Sequence, residues 1–384
     1  MCVVVFCLLC NFWKHTSFQW FCFGSSDDYT SAFGNNFDGY TVIKDSQEYA
    51  LSFGGELTDE TLQKIVSDYQ QMEADGMGEE LEKTDWQIVN SWLGTLYPEL
   101  RDTSNYKTMI SYVDPDKLTG FYERRQQVLD EFLEVSGQVG AEKEFLHQIE
   151  RKVEKPFRYE WVEGWSTLLG SMVADLGVVM ALFLGIVLSS LFAGEWHDNT
   201  STLVLTTRNG WGKIALAKIL TGLAFTVELF ALLAVSSVIS QLFFMGTAGW
   251  NMPIQNIKLI AVAPMNMLQA EIYEYAFVLL GAIGFAGIVM FISAAVKNNV
   301  LTLLLSLAVV YGPMMIAEYL PYEMQKALDL IPLVGSSTDI FRTNTFRIWG
   351  KLIWSPYLLI TIPVLIGILC MPFAIKSWSR RMKA

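Results

Sequence analysis

Long apolar runs dominate roughly the last 220 residues of the chain. About 20 consecutive apolar residues are needed to cross about 30 Å of hydrocarbon, and five segments meet this requirement. They are residues 168–192, 214–244, 275–296, 300–317 and 357–375. Polar or charged residues bound each segment, so the pattern predicts five membrane-spanning helices.

A shorter apolar segment lies at the start of the chain, within residues 1–24. Its wholly apolar core, residues 2–9, is too short to span a bilayer, and the remainder contains Lys14 and His15. It has neither the positive first region nor the small final residues of a signal peptide. We interpret it as a first span whose cytoplasmic lead-in is missing or incorrectly started, which gives six spans in a one-plus-five arrangement.

Between these segments, residues 25–160 show helical periodicity with many polar residues. Residues 57–74 begin with Thr58 as an N-cap and an acidic first turn that suits the helix dipole. The sequence Thr84-Asp85-Trp86-Gln87 has the spacing of a capping box and predicts another helix start. Apolar residues at helical spacing predict two more helices, 116–135 and 141–162. The sequence therefore predicts an all-α membrane protein with a mainly helical domain between its first and second spans.

The end of this domain leads directly toward the membrane. We expect the helix at residues 141–162 to continue straight into the span at residues 168–192. Aromatic residues near that junction would then form a belt at the membrane surface, where Trp and Tyr accumulate. They are Phe157, Tyr159, Trp161 and Trp165.

Composition and charge agree with this division. Of all residues, 52% are hydrophobic and 17% are charged, against about 25% charged in soluble domains. Residues 25–160 contain 28 of the 39 acids and 13 of the 27 bases, a net charge of −15 within the total of −12. An acidic, water-facing domain is thus joined to a slightly basic membrane domain, residues 161–384.

Basic residues in the short loops predict the orientation, because Lys and Arg accumulate on the cytoplasmic side. With the C-terminus inside, eight bases lie inside: Arg208, Lys213, Lys218, Lys297, Lys376, Arg380, Arg381 and Lys383. Five lie in outer loops: Lys258, Lys326, Arg342, Arg347 and Lys351. The dense basic cluster at residues 376–383 favours a cytoplasmic C-terminus, and residues 25–160 are then outside the cell.

Catalytic signatures are missing from the sequence. It contains no phosphate-binding GxxxxGK[ST] loop, no HExxH zinc helix and no GxSxG nucleophile elbow, and it has only three histidines. We therefore expect no enzyme activity, cofactor or metal on this chain and no nucleic-acid partner. If ATP energises a transport step, a separate chain must bind it.

The loop that follows the span at residues 168–192 carries the most informative pattern. Residues 193–213 resemble the loop between the second and third spans of type-2 ABC exporter permeases. In that loop a glutamate, a small or hydroxyl pair, a leucine-rich turn, a basic residue and a lysine recur in this order. The matching positions are Glu195, Thr200, Leu203 with Leu205, Arg208, and Lys213 with Lys218.

This resemblance implies a function and a set of partners. It implies the permease subunit of an ATP-driven exporter in a bacterial cytoplasmic membrane, moving a hydrophobic, amphipathic or ionic substrate outward. The expected partners are an ABC ATPase that holds ATP and magnesium, a second permease copy or homologue, and the lipid bilayer. Residues 203–205 would form the docking side of a short amphipathic helix in a groove of the ATPase. The alternative is an ordinary inner loop in which Arg208 and Lys213 extend to lipid phosphates.

One ionisable residue lies near the middle of a predicted span. Glu228 is central in residues 214–244, where a charged group costs at least about 2.5 kcal/mol unless it is paired or hydrated. It is therefore a candidate for the transport pathway. The alternative is a protonated or hydrogen-bonded residue that packs against a neighbouring helix.

Two other functional classes remain open at this point. ABC membrane subunits of the FtsX or MacB type, which transmit mechanical motion, also have a large outer domain after their first span, but three spans follow it rather than five. A membrane-anchored sensor or binding module would need fewer spans than this chain contains. A membrane enzyme is disfavoured by the missing catalytic signatures.

Overall fold

The computed structural model describes residues 47, 54–76, 86–102, 108–197, 212–335 and 343–381. Within these ranges the chain is mostly helical, and a helical domain at residues 54–160 lies on one end of a five-helix bundle. The predicted first span, residues 1–24, and the predicted capping box at Thr84 lie outside the described residues.

The described residues of the domain form four α-helices and one small sheet. The helices are α1 (Asp59–Ala74), α2 (Trp86–Leu96), α3 (Phe121–Val135) and α4 (Ala141–Glu150). Strands β1 (Gly55–Glu56) and β2 (Arg158–Tyr159) pair antiparallel and join the two ends of the domain. Thr58 caps α1 as predicted, because its hydroxyl accepts a hydrogen bond from the Thr61 N–H at 3.2 Å.

The core of the domain is apolar and aromatic. Trp92 is buried and contacts the Tyr159 ring edge to face at 5.4 Å between centroids. The Tyr122 hydroxyl donates to Leu57 O at 2.8 Å and accepts from the Phe157 N–H at 2.6 Å. Burial raises the pKa of Tyr122 to about 12, so this hydroxyl stays protonated and keeps β1 and β2 together.

Helix α3 begins later than its apolar periodicity predicts. The expected start was residue 116, but residues Pro115–Lys117 form a short 3₁₀ turn and the helix begins at Phe121. Gly120 adopts a left-handed conformation with φ of 72°, which glycine tolerates better than other residues. The Asp59 carboxylate accepts the N–H groups of Gly120 and Phe121 at 2.7 and 2.9 Å. A distant side chain therefore fixes this helix start.

The expected continuous helix from residue 141 into the membrane is wrong. Helix α4 ends at Glu150, and the chain turns before it enters β2. Pro156 lies in this turn, and proline lacks the N–H that a helix interior needs and disfavours helix at the preceding residue. After this turn the backbone is extended, and β2 pairs with β1.

The expected aromatic belt is also wrong, because its members are covered by protein. Phe157, Tyr159, Trp161 and Trp165 are all buried. The Trp161 indole N–H donates to Met245 O at 3.1 Å, and that of Trp165 donates to Ala248 O at 2.9 Å. Periodicity cannot distinguish a lipid-facing ring from one that packs between a domain and a helix end.

In the described part of the chain, five helices are long and apolar enough to cross a membrane, which is compatible with a multi-pass membrane protein. The first runs over Glu163–Trp196 and comprises α5 (Glu163–Thr167), a π-helical turn and α6 (Val173–His197). The others are α7 (Lys213–Met245), α8 (Met267–Ala295), α9 (Asn299–Ile316) and α11 (Ser355–Arg381). All five agree with the predicted spans. Helix α8 is central and packs against α6, α7, α9 and α11.

The two ends of the bundle differ. At the domain end lie the connection from α7 to α8, the short helix α10 (Tyr322–Leu328), and a hairpin of β3 (Thr345–Ile348) and β4 (Lys351–Trp354). The domain makes hydrogen bonds with the α7–α8 connection and with the hairpin. The Trp92 indole N–H donates to Asn256 O at 3.1 Å, and Thr345 Oγ1 donates to Gln138 Oε1 at 2.7 Å. The opposite end of the bundle is called the tail end below. It contains His197, Lys213, residues 296–298 and Arg381.

A buried arginine also connects the domain to the bundle, at the contact called the junction below. Arg125 Nη1 donates to Glu150 Oε1 at 2.6 Å, while Nε and Nη2 donate to Leu259 O and Ala261 O at 2.7 and 3.1 Å. Lys155 Nζ also lies 2.8 Å from Glu150 Oε1. Burial lowers the pKa of Arg125, but its hydrogen bonds with Glu150 oppose this effect. The arginine thus links the domain to the segment that leads into α8.

Candidate coupling and intramembrane sites

The predicted coupling loop begins and ends at the tail end of the bundle. Helix α6 ends at His197 and α7 begins at Lys213. Thr200, Leu203, Leu205 and Arg208 lie outside the described residues. Glu195 and Lys218 are brought together, whereas the side chain of Lys213 is exposed on the first turn of α7.

Lys218 holds three helices together at the base of this loop. Its Nζ lies 2.6 Å from Glu195 Oε1, and both side chains are half-buried. The same ammonium donates to the Leu191 carbonyl oxygen in α6. It also lies over the rings of Phe192 and Trp378, 5.3 and 5.5 Å from their centroids. Since Trp378 belongs to α11, this one cation contacts α6 and α11 from its place in α7.

A second set of contacts joins α6 to α8. Ser293 Oγ donates to Ser189 O at 2.7 Å and accepts the N–H groups of Phe192 and Ala193 at 3.1 Å each. Its insertion between the helices explains why a hydroxyl is fully buried there.

Lys297, two residues after the end of α8, makes a further contact at the tail end. Its ammonium lies 4.3 Å from the ring centroid of Trp196, within the range of a cation–π interaction. Trp196 in turn contacts the Trp378 ring at 6.0 Å. The end of α6 and the second turn of α7 therefore share one aromatic and ionic cluster with α11.

Glu228 occupies the outward face of α7 rather than the interior of the bundle. Its side chain is exposed, as are those of Val227, Val235 and Ile239 on the same helix. Phe230 instead faces α8, where its ring contacts Tyr275 at 6.1 Å. The carboxyl group therefore lies on the surface of the described bundle.

Two acidic residues inside the bundle were missed by the sequence interpretation. The span was expected to begin at Tyr275, but α8 begins at Met267 and includes Glu271 and Glu274, both buried. A capping box marks the true start: Gln269 N–H donates to Asn266 Oδ1 at 2.8 Å, and Asn266 N–H donates to Gln269 Oε1 at 3.1 Å. This asparagine–glutamine spacing was visible in the sequence and would have identified the start.

Several polar groups lie at the same end of the bundle as these two acids. Tyr273 Oη donates to Pro356 O at 2.8 Å and fixes the start of α11 beside the same turn of α8. Glu271 shares a side-chain contact with the Tyr275 hydroxyl of the same helix, and within the described part of the chain Ser355 Oγ and Trp354 Nε1 are buried without a hydrogen-bond partner. Buried polar groups of this kind are costly unless water, a proton or a ligand satisfies them. The starts of α8 and α11 therefore bring polar groups into the domain-side half of the bundle.

The described ranges contain no group of three or more His, Cys, Asp or Glu residues that could hold a metal ion. Comparison with protein-family models, curated proteins and solved structures returned no match.

Proposed function

We propose that this chain is the permease subunit of an ATP-driven exporter of the type-2 ABC class. The observation that supports this most is the Glu195–Lys218 ion pair at the base of residues 198–211. An ATPase bound to this segment would push or pull on α6, α7 and α11 together, because the pair and its aromatic neighbours connect them. The chemical energy would come from the partner chain.

The proposed orientation places the domain outside the cell and the tail end inside. Its support is the distribution of charge: the described residues of the domain hold 19 acids and 10 bases at one end, and Lys213, Lys218, Lys297 and Lys376 lie at or near the other. Single cysteines at Ser67 and Ala384, in a background without native cysteines, test it with a membrane-impermeant thiol reagent in intact cells. We expect labelling at position 67 and none at 384. The reverse pattern overturns the orientation.

Two buried acids support a narrower proposal for the substrate class. Glu271 and Glu274 are buried in α8 on the domain side of apolar helices, so the proposed substrate is a cation or an amphipathic molecule with a basic group. Glu228 would be covered by the second permease copy, since a carboxyl group exposed to hydrocarbon costs about 2 kcal/mol or more. We expect Glu228→Gln to fold normally and to alter transport.

Coupling is tested with the double variant Leu203→Ala and Leu205→Ala. Truncating apolar anchors in a helix-in-groove contact costs about 1–4 kcal/mol, which weakens binding roughly tenfold or more. We expect the variant to insert in the membrane but to lose co-purification of its ATPase and substrate-stimulated hydrolysis. The matched control is Val135→Ala with Val139→Ala, two exposed apolar residues of the domain. Retained ATPase binding and stimulation in the loop variant would refute the coupling role.

A mechanotransmitting subunit is the second candidate, and the Arg125 junction favours it. Arg125 connects the domain rigidly to the segment that enters α8, so motion of the bundle would reach the domain without any substrate crossing the membrane. Reconstituted vesicles distinguish the two functions. ATP-dependent substrate movement supports the exporter, whereas ATP-dependent domain movement without transport supports the mechanotransmitter.

A further inference from the structure

A cleft of 640 Å³ lies where the domain meets the bundle. One wall is formed by Glu56 of β1 and residues 152–158, and the other by residues 251–253, Gln255, residues 264–266 and Gln269. Its volume falls within the range of about 300–1,000 Å³ that is typical of ligand pockets. The cleft is remote from the tail end and from the proposed coupling segment, and nothing described above uses it.

The domain wall carries charges of both signs. Lys152 and Arg158 are exposed bases on this wall, and Glu56 and Glu154 are exposed acids. A third base, Lys155, is bound to Glu150 at 2.8 Å and is therefore less available. Lys152 and Arg158 against Glu56 and Glu154 thus present both signs of charge to the cleft. This pattern favours a ligand that has both a cationic and an anionic group over a simple anion.

The N-terminus of α8 borders the cleft but does not provide an anion site. Its first four N–H groups all have acceptors: Met267 donates to Met252 O, Leu268 to Trp250 O, Gln269 to Asn266 Oδ1, and Ala270 to Asn266 O. Helix N-termini bind phosphate through free N–H groups, and here those groups are occupied. A ligand in the cleft would therefore be recognised by the side chains of the two walls.

The bundle wall has amide and apolar side chains and no charged residue. Gln255 is fully buried there; its Nε2 donates to Ala261 O and Ala263 O at 3.0 Å each, which fixes the amide. Within the described residues its Oε1 is buried without a hydrogen-bond partner, so an acceptor is held ready for a donor. Met252 and Met265 add flexible apolar surface, which adapts to varied side chains.

We propose that this cleft binds a short peptide that carries at least one basic and one acidic group. The charged wall would pair with these groups, Gln255 Oε1 would accept a peptide N–H, and the methionines would contact apolar side chains. The site lies between the domain and the segment entering α8, so a bound peptide would contact both parts. The inference does not depend on the exporter assignment, because peptide binding is measured without ATP or ATPase.

The test uses the full-length protein in lipid nanodiscs and an equimolar library of random tetrapeptides, with bound peptides identified by mass spectrometry. We expect peptides with both charge signs to be enriched about tenfold over their share in the library. Lys152→Gln with Arg158→Gln should abolish the selection for acidic residues only. Glu56→Gln with Glu154→Gln should abolish the selection for basic residues only. The control Asp114→Asn with Lys117→Gln changes an exposed ion pair outside the cleft and should leave both selections intact.

Three results would overturn the proposal: enrichment no greater than on empty nanodiscs, enrichment unchanged by both cleft variants, or equal displacement of peptides by dodecyl phosphate, which marks a lipid or anion site. Tryptophan fluorescence melting of each variant establishes that it is folded before binding is compared. The Glu→Gln replacements keep side-chain shape, and the Lys→Gln and Arg→Gln replacements change exposed side chains, so a selective loss for one charge sign reports recognition rather than unfolding. Failure of this test leaves the exporter proposal standing, and failure of ATPase coupling leaves the peptide site standing.

Discussion

Glu195 Oε1 in α6 lies 2.6 Å from Lys218 Nζ in α7, and the two side chains are half-buried. Position 195 is close to the last residue of α6, and position 218 lies in the second turn of α7. The pair therefore joins the two helices that flank residues 198–211 in the sequence.

Lys218→Met should destabilise the bundle. The substitution leaves Glu195 half-buried without its ammonium partner and removes the cation from Phe192 and Trp378. Exposed pairs contribute about 0.2–1 kcal/mol, and breaking a fully buried pair costs about 3–5 kcal/mol; a half-buried pair should fall between, at about 1–3 kcal/mol. Thermal unfolding in detergent measures the loss. Lys213→Met, an exposed cation on the same helix, is the control and should change little. Equal melting temperatures for both variants would contradict this prediction.

Arg125 and Arg124 are adjacent in sequence and provide a matched pair. Arg125 is buried and bound to Glu150 and two backbone carbonyls, whereas Arg124 pairs with Glu99 near the surface. Arg125→Ala leaves a buried carboxylate and two carbonyls poorly satisfied and should cost about 3–5 kcal/mol. Arg124→Ala should cost no more than about 1 kcal/mol. Chemical denaturation followed by Trp fluorescence compares them, and similar costs would show that the junction does not depend on Arg125.

The same network predicts an acid-sensitive domain. Burial by itself raises the pKa of Glu150, but hydrogen bonds from Lys155 and Arg125 outweigh it and hold the pKa below its ordinary value of 4.5. A carboxyl whose pKa is lower in the folded state stabilises the fold above its unfolded pKa, and this contribution disappears as pH falls through the folded pKa. Stability should therefore drop below about pH 4.5. Glu150→Gln should lower stability at pH 7 and flatten the acid limb in melting curves recorded from pH 7 to pH 3. An unchanged acid limb would assign the effect to other carboxyl groups.

Local signals predicted part of this fold and tertiary contacts decided the rest. Apolar runs identified the five bundle helices, and Thr58 marked the start of α1, because both depend on neighbours within a few residues. The start of α3 depends on Asp59, which lies 61 residues before Gly120, and no periodicity contains that contact. The burial of Trp161 and Trp165 also depends on a distant segment, because the end of α7 covers both side chains.

The candidate sites show the same limit. Glu195 and the lysines of α7 were recognised from their order along the chain, but their pairing needs the packing of α6 on α7. Glu271 was placed outside its span because only hydropathy defined the boundary. The capping box at Asn266 extends α8 by two turns and brings that carboxyl group into the bundle.

A second copy of the chain, if it covers Glu228, should be accessible to cross-linking along the outer face of α7. Val235→Cys lies two helical turns from Glu228 and is exposed, whereas Leu233→Cys on the same helix is buried. In a background without native cysteines, oxidation in membranes should give a dimer with the first variant and not with the second. Monomer in both cases would leave Glu228 facing lipid and argue against this face as the contact.

The close approach of α8 and α11 gives the most direct test of the bundle. The two helices run in the same direction, with Gly284 against Pro363 and Gly287 against Gly367. A methyl group at Gly284 would lie 2.8 Å from the Pro363 carbonyl carbon and 3.1 Å from Pro332 Cγ, which forces the backbones apart. Small residues permit such contacts in membrane bundles.

Gly284→Ala should therefore lower stability by about 1–3 kcal/mol, the usual cost of overpacking. The control is Gly312→Ala in α9, where a methyl group has no neighbour within 4 Å in the described residues. There the higher helix propensity of alanine should leave stability unchanged or raise it by up to about 1 kcal/mol. Thermal unfolding of both variants in the same detergent makes the comparison. If Gly284→Ala melts with or above Gly312→Ala, then α8 and α11 are not packed through their glycines, and the described bundle would need a different helix arrangement.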